Sequence, residues 1–219
     1  MAKRTFHNLP LAKQEAFVQA AYEEFATHTF NDASVSRIVK KLGIAKGSVY
    51  QYFDDKKALY FYLKERAEAK KREALEGTLT QGYADFWELY RRLYVAGIQF
   101  DLDYPLHSAF LYNFSREKAL PEIATLIQQQ FAEGINFFRQ HLVAEQQQGR
   151  LKGDLDPELM AYLIIQAGRG MVEWLAMKHN INFQENAQGT TPVLGAHQEK
   201  LLQLVDDIAH LLKFGMQHD

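Results

Sequence analysis

The sequence predicts an all-helical protein with a helix-turn-helix near its N-terminal end. Apolar residues recur at spacings of three and four along most of the chain, which is the periodicity of helices with one buried face. No segment alternates apolar and polar residues as a half-buried strand would. Near Gly43 a tight turn separates two short helices, and this geometry lets a helix enter the DNA major groove.

The first predicted helix covers about residues 11–28, where Phe17, Ala21 and Phe25 form one apolar face. Polar residues then interrupt the pattern. Ser34 is expected to cap the second helix by accepting a hydrogen bond from a free backbone N–H, and Gly43 suits the sharp turn that follows. The buried side of the second helix is expected to consist of Val35, Ile38, Val39 and Leu42.

A third short helix is predicted through Phe53, and a fourth is expected to begin near Asp54 and Asp55, where negative charge is favourable. The fourth helix runs to about Glu76 and is rich in charged residues. We therefore interpret it as a solvated connecting helix.

The rest of the chain is predicted to be helical apart from a polar loop between Asn182 and Gly195. An aromatic stripe begins at Phe86, and prolines introduce three further segments. These segments are 105–114, a long one from 121 to about 148, and one that begins at 157. The last helix carries an apolar face from Leu201 to Leu212.

Composition limits the classes of function. The chain has 219 residues, enough to bury a substantial core, and a formal net charge of -2. Residues 1–72 contain 14 Lys and Arg against 8 Asp and Glu, whereas the remainder contains 11 against 19. Such asymmetry suggests a nucleic-acid-binding segment joined to an acidic body, with chance sorting of surface charge as the alternative.

Several sites are not expected. Cysteine is absent, which excludes disulfides, thiolate zinc sites and cysteine nucleophiles. There is no HExxH, P-loop, GxGxxG or GxSxG motif, so we expect no enzyme activity, no catalytic residue and no cofactor. The helical pairs Glu24 with His28 and Asp207 with His210 are interpreted as surface neighbours, and no metal site is predicted. Without a signal-like or membrane-spanning apolar run, we expect a cytoplasmic protein.

The third helix has the pattern of a recognition helix. At about 100° per residue, Val49 and Phe53 point to the buried side while Gln51 points outward. Gln51 is expected to pair with an adenine edge, and Tyr and Lys side chains beside it are expected to reach phosphates. The start of the second helix is expected to hold another phosphate. The predicted DNA-binding residues are Ser34, Ser36, Lys46, Gly47, Ser48, Tyr50, Gln51, Tyr52 and Lys56.

The segment from Leu42 to Tyr60, LGIAKGSVYQYFDDKKALY, resembles the helix-turn-helix signature of the TetR (tetracycline repressor) family of bacterial transcriptional regulators. The resemblance covers about residues 11–63. It departs mildly at Thr29-Phe30, where a Gly-aromatic pair is common, and at Val39, where alanine is usual. The first departure could alter the loop before the second helix.

The resemblance implies a DNA-binding domain over residues 1–54 and a regulatory ligand-binding and dimerisation domain over 55–219, about nine to ten helices in all. It also implies a homodimer on palindromic double-stranded DNA, and a repressor that a small apolar or aromatic effector releases. The alternative is a helical ligand-binding protein without DNA-binding activity.

The same resemblance suggests where an effector and a second subunit bind. Residues 83–138 hold 13 of the 28 aromatic residues, a pattern that equally suits an ordinary core. The candidate ligand-binding residues are Tyr90, Tyr94, His107, Phe110, Asn113, Phe114, Phe131, Gln166, Arg169 and Trp174. The candidate dimer-interface residues are Ala167, Gly170, Leu201, Leu204, Val205, Ile208 and Leu212, and a core helix within one chain is the alternative for the last five.

Overall fold

The computed structural model describes residues 1–182, 185 and 192–216. Ten α-helices form within these residues, and the described part of the chain contains no strand. The helices are α1 (Arg4–His7), α2 (Leu11–Thr27), α3 (Val35–Leu42), α4 (Lys46–Tyr52), α5 (Lys56–Thr80), α6 (Phe86–Asp103), α7 (Pro105–Phe114), α8 (Pro121–Gln147), α9 (Pro157–His179) and α10 (Gln198–Met216). The all-helical prediction is confirmed. Most of the predicted loop between Asn182 and Gly195 lies outside the described residues.

Local chemistry explains the end of α3 and the start of α5. Gly43 ends α3 in the left-handed conformation at φ 65°, and the N–H of Ile44 donates to the carbonyl of Val39, which closes the turn before α4. The carboxylate of Asp55 caps α5 by accepting from the N–H of Ala58. The expected cap at Ser34 was wrong, because its side chain makes no capping hydrogen bond and its own N–H donates to Glu24.

Two buried clusters organise the molecule. The first joins α1–α4 to the first half of α5, to α7 and to the start of α8, and it is dominated by aromatic side chains. The second joins α6, α8, α9 and α10. The boundary between residues 54 and 55 falls at the gap between α4 and α5, yet the first cluster continues through Leu59 and Leu63.

Helix α5 belongs to the core over its first half. Leu59, Leu63 and Ala67 are fully buried at i, i+4 and i+8, so the prediction of a merely solvated connecting helix was wrong. The other faces of this helix carry many charged residues, so the single apolar stripe was not recognised in the sequence. None of the described helices has the length and apolar character that crossing a membrane requires.

Candidate nucleic-acid interface and ligand cavity

The orientation predicted for the recognition helix α4 is confirmed by its burial pattern. Val49 is 1% exposed and Phe53 is 0% exposed, so the two residues anchor the helix from behind. The outward side carries Gln51 and Tyr50, together with Lys46 and Gly47 at the helix start. Ser34, Ser48 and Tyr52 are partly buried and Ser36 is exposed. The residues predicted to bind DNA therefore lie on one short helix and at the start of its neighbour, with one exception at Lys56.

Lys56 does not face outward as the sequence suggested. Its ammonium donates to the carbonyls of Phe30 at 2.7 Å, Ala33 at 3.0 Å and Asn31 at 3.3 Å, and it lies 4.6 Å from the centre of the Phe30 ring. A lysine ammonium has three N–H donors, and all three are used here. Lys56 therefore fastens the loop between α2 and α3, and its assignment as a phosphate contact is corrected.

The N-terminal segment donates hydrogen bonds to the C-terminal end of α4. Sequence analysis did not predict this contact. The backbone N–H of Lys3 donates to the carbonyl of Tyr52 at 2.8 Å, and its ammonium donates to the carbonyl of Tyr50 at 3.0 Å. The hydroxyl of Thr5 donates to the carbonyl of Gln51. The last carbonyls of a helix lack partners within the helix, so these donors stabilise the end of a helix only seven residues long.

Phe6 anchors this segment in the first cluster. It is 0% exposed, and its ring lies 5.2–5.7 Å from the ring centres of Phe17, Tyr52, Phe53 and Tyr62. Aromatic pairs at such distances add stabilisation beyond the area they bury. Helix α1 thus couples the position of α4 to the cores of α2 and α5.

A buried carboxylate fixes the start of α3. Glu24 accepts from the Arg37 guanidinium at 2.9 and 3.0 Å and from the N–H of Ser34 at 2.6 Å. Burial alone would raise the pKa of Glu24, but the hydrogen bonds from Arg37 and Ser34 outweigh it and lower the pKa. His28 lies 3.8 Å away as a second cationic neighbour when protonated. Among the described residues, no group of three or more potential ligands could hold a metal ion.

A cavity of about 800 Å³ lies between α5, α6, α7, α8 and α9. Four of the predicted ligand-binding residues line it: Tyr94, Phe114, Phe131 and Arg169. A second space of about 450 Å³ shares part of this wall and extends toward Phe100 and Tyr112. Sequence analysis missed other lining residues, which include Lys71, Leu111, Ile127, Phe137, Phe138, Ile165 and Gly168.

Six predicted ligand-binding residues do not line this cavity. The ring of His107 packs 4.6 Å from that of Tyr22, and Phe110 lies in the same cluster. Asn113 donates to the carbonyl of Ala26, so these residues join α7 to α2. Of the other three residues, one is buried and two are exposed. Tyr90 is fully buried in the second cluster, Gln166 is exposed and donates to Tyr162, and Trp174 is 43% exposed in a separate groove.

Gly168 allows the cavity wall to form. A Cβ atom at this position would lie 1.7 Å from the hydroxyl oxygen of Tyr94, so only glycine lets the Tyr94 ring pack against α9. Burial raises the pKa of Tyr94 to about 12. The hydroxyl of the neighbouring Tyr90 is buried without a hydrogen-bond partner.

Helix α9 presents a second face to the exterior. Leu159, Leu163, Gln166, Gly170, Trp174 and Met177 follow one another at spacings of three and four, and all but Gly170 are exposed. On α10, Leu211 is 72% and Phe214 is 82% exposed. Both helices thus expose large apolar side chains to solvent, and extensive exposed apolar surface is typical of protein contact sites. We call these residues the α9–α10 stripe.

The dimer-interface prediction is only partly compatible with this surface. Leu201 and Val205 are 0% exposed in the chain's own core, so assigning them to a contact with a second chain was wrong. Leu204, Ile208 and Leu212 are partly buried against the same core. Ala167 and Gly170 keep some exposure, and a Cβ atom at Gly170 would meet no atom of its own chain.

Together these features define a helix-turn-helix protein whose helical body carries an open, ligand-sized cavity. Residues 17–63 match the family described as bacterial regulatory proteins, tetR family. A TetR family transcriptional regulator from Chloroflexus aurantiacus J-10-FL, known from its crystal structure, is 26% identical with a TM-score of 0.82 and covers 100% of both chains.

Two relatives that are similar over most of the chain extend the comparison. The uncharacterized HTH-type transcriptional regulator YdgC of Bacillus subtilis is 28% identical over 167 residues, which is 74% of this chain and 78% of the relative. The probable acrEF/envCD operon repressor of Escherichia coli K12 is 27% identical over 188 residues, 80% and 81% of the two chains. Residues 17–63 are thus a TetR-family DNA-binding domain, and the similarity to TetR-family regulators extends over the rest of the chain. The protein is a DNA-binding transcriptional regulator.

Proposed function

We propose that this protein is a homodimeric repressor that binds a palindromic operator and releases it when a small apolar or aromatic effector fills the cavity. The observation that carries the proposal is the outward presentation of Gln51 on a helix anchored by Val49 and Phe53. The E. coli relative, named as a probable operon repressor, supports the direction of regulation. Because its target is chromosomal DNA, we expect it to act in the cytoplasm.

In the proposed complex, α4 enters the major groove with its N-terminal end foremost. Gly47 and Ser48 allow close approach of the backbone, and Gln51 reads a base edge. Lys46, Tyr50 and Tyr52 contact phosphates, while Ser34 and Ser36 hold a phosphate at the start of α3. Lys56 contributes only indirectly, by holding the loop that leads into α3.

Replacing Gln51 with alanine tests this arrangement. We expect Gln51→Ala to lose about 1–3 kcal/mol of discrimination at one base-pair position of each half-site, with little effect on folding because the side chain is exposed. Gel-shift titrations with operator variants taken from the DNA upstream of its own gene measure the loss. Gln19→Ala, an exposed glutamine on α2, is the control. An unchanged base preference would remove Gln51 from the reading surface.

The proposed dimer forms through the α9–α10 stripe, with Ala167 and Gly170 allowing close approach of the partner helix. A twofold pair would place its recognition helices one DNA turn, roughly 34–36 Å, or somewhat more apart. We expect Leu163→Asp to dissociate the pair and to abolish tight operator binding without unfolding the chain. Sedimentation equilibrium measures the mass. Leu79→Asp, another half-exposed leucine, is the matched control and is expected to remain dimeric.

Helix α5 offers a short path between effector and DNA. Its first half packs in the cluster that holds α4, and its second half contributes Lys71, Arg72 and Leu75 to the cavity wall. Phe114 belongs to both regions and stacks 5.3 Å from Tyr60 of α5. We expect an effector to shift the population toward dimers whose two α4 helices no longer match the operator spacing, with a coupling of about 1–3 kcal/mol.

A further inference from the structure

We propose that the cavity selects amphipathic anions: an apolar chain or ring system that ends in a carboxylate or a similarly charged group held by Arg169 and Lys71. This inference rests on the proposed function only in identifying the cavity as the effector site. It adds the charge of the effector, which the apolar wall alone does not specify.

The apolar part of the cavity is extensive. Phe114, Phe131, Phe137, Phe138 and Ile165 are part of its wall, and the volume of about 800 Å³ lies within the range of sites for small organic ligands. A ligand must therefore carry a hydrocarbon or aromatic body to replace water along this wall.

Two cations on the wall, Arg169 and Lys71, lie against aromatic rings and not against carboxylates. The Arg169 guanidinium lies 5.5 Å from the centre of the Phe131 ring, and the Lys71 ammonium lies 5.7 Å from that of Phe100. In the described part of the chain, no carboxylate lies within ion-pairing distance of either group. Both residues line both parts of the cavity, where Arg169 is exposed to solvent and Lys71 is half-buried, so a ligand in this space can reach either charge.

The acidic residues of the wall already have other partners. Glu68 pairs with Lys64 at 2.8 Å, Glu173 pairs with Arg116, and Glu133 accepts from Gln129 at 2.9 Å. Asp101 accepts from the Ser108 hydroxyl at 2.7 Å, and burial raises its pKa, although Lys71 partly opposes that rise. Glu133 and Asp101 accept only from neutral groups, so they are not paired with a cation. In the described part of the wall, three cations without a carboxylate partner, Lys71, Arg72 and Arg169, outnumber these two carboxyl groups.

This imbalance favours one class of ligand. A carboxylate placed between Arg169 and Lys71 would form charge-assisted hydrogen bonds, and a guanidinium can grip it with two parallel N–H groups. A neutral ligand of the same shape would leave these cations without a counter-charge, and a cationic ligand would be repelled. The cavity thus combines an apolar body site with an anionic head-group site.

Isothermal titration calorimetry with the full-length protein tests the inference. The probes are decanoate and 2-naphthoate, each compared with its neutral counterpart, 1-decanol or 2-naphthol, and with decyltrimethylammonium, all below their micelle concentrations. We expect at least one carboxylate to bind roughly tenfold or more tightly than its neutral counterpart. Equal affinity for the acid and the alcohol, or binding of none of the carboxylates, would overturn the inference.

Variants assign the head-group site. We expect Arg169→Gln and Lys71→Gln each to weaken carboxylate binding by roughly tenfold while leaving alcohol binding unchanged. Arg139→Gln on α8, which does not line the cavity, is the control. Circular dichroism establishes that each variant is folded. Variants that bind decanoate and 2-naphthoate as tightly as the unaltered protein would also overturn the assignment.

A gel shift in the same samples separates this inference from the proposed function. If a carboxylate binds and operator affinity stays unchanged, the anion site is supported and effector release of DNA is wrong. If only a neutral or cationic probe binds and releases DNA, release is supported and the anion site is overturned.

Discussion

The two buried clusters differ in how completely side chains fill their interior and in how polar their outer surface is. Around α4, the rings of Phe6, Phe17 and Phe53 fill the interior against one another, and the outward surface is polar. The half built from α6, α8, α9 and α10 surrounds a cavity with α5 and α7, and it exposes apolar side chains such as Met177 and Phe214. The first half has a smaller groove of about 420 Å³ between α2 and α3, lined mainly by polar and charged side chains. The second has a larger space lined by apolar side chains and an apolar outer surface.

This difference corresponds to two physical tasks. A recognition helix must keep one orientation, because its contacts with base edges depend on hydrogen-bond geometry. A sensing domain must have at least two states of similar free energy, so that a ligand can shift the population between them. Dense aromatic packing suits the first task, and a partly filled interior suits the second.

The largest loss of stability is expected from a substitution at Phe6, in the densely packed first cluster. Phe6→Ala removes a fully buried ring and leaves a cavity beside Phe17 and Phe53, so we expect a loss of about 3–5 kcal/mol in the free energy of unfolding. Urea denaturation measures it. Leu11→Ala, at a residue 75% exposed, is the control and should change stability by no more than about 0.5 kcal/mol. A small effect at Phe6 would mean that α1 is dispensable for the dense half.

A smaller loss of stability is expected from Glu24→Gln. Its dependence on pH tests how the first cluster fixes the start of α3. The pKa of Glu24 is lowered in the folded state, so its stabilisation is complete above its ordinary value of 4.5 and is lost as the pH falls through the lowered value. At neutral pH, Glu24→Gln should cost about 1.5–3 kcal/mol, because it removes charge-assisted hydrogen bonds with Arg37. Urea denaturation across the acid range should show the two proteins converging at low pH.

Glu65→Gln is the control for this experiment, because Glu65 is exposed on α5. It should follow the stability curve of the unaltered protein at every pH. A constant difference between Glu24→Gln and the unaltered protein down to the lowest pH would show that ionisation of Glu24 is not what stabilises the start of α3.

The smallest loss of stability is expected from Gly168→Ala, which tests the packing of the cavity wall. The added methyl group of Gly168→Ala would collide with Tyr94, and we expect the displaced ring to cost about 1–3 kcal/mol in the free energy of unfolding and to reshape the cavity. Gly97→Ala is the control, because a Cβ atom at this position of α6 meets no other atom within 4 Å, and it should be neutral or slightly stabilising. Equal stabilities of the two variants would mean that the Tyr94 ring can move aside without a loss in the free energy of unfolding.

Sequence periodicity predicted most of the helices and the orientation of α4. Residues such as Val49 and Phe53 share a helix face, so their common burial follows from spacing alone. The short helix α1 could not be predicted in this way, because four residues contain too little of a helical period. The partners of Phe6 are also distant along the chain, at Tyr52, Phe53 and Tyr62.

The cavity wall was less predictable than the recognition helix. Helix α9 is apolar on two faces, so spacing could not distinguish Ile165 and Gly168, which face the cavity, from Leu163 and Trp174, which face outward. The pairing of Gly168 with Tyr94 joins residues of two helices and has no local signature. Lys56 was assigned to phosphate by its charge and position, but its three carbonyl partners lie in a loop that folds back toward it.

The two faces of α9 have a consequence for ligand titrations. A single helix carries Ile165, Gly168 and Arg169 toward the cavity and Leu163, Gly170 and Trp174 toward the proposed partner, so the two subunits' cavities would be separated by little more than a pair of helices. A shift of α9 on filling one cavity would then alter the affinity of the other. Effector binding curves of the dimer should accordingly depart from a simple hyperbola, with a Hill coefficient that differs from one and returns to one in the monomeric Leu163→Asp variant.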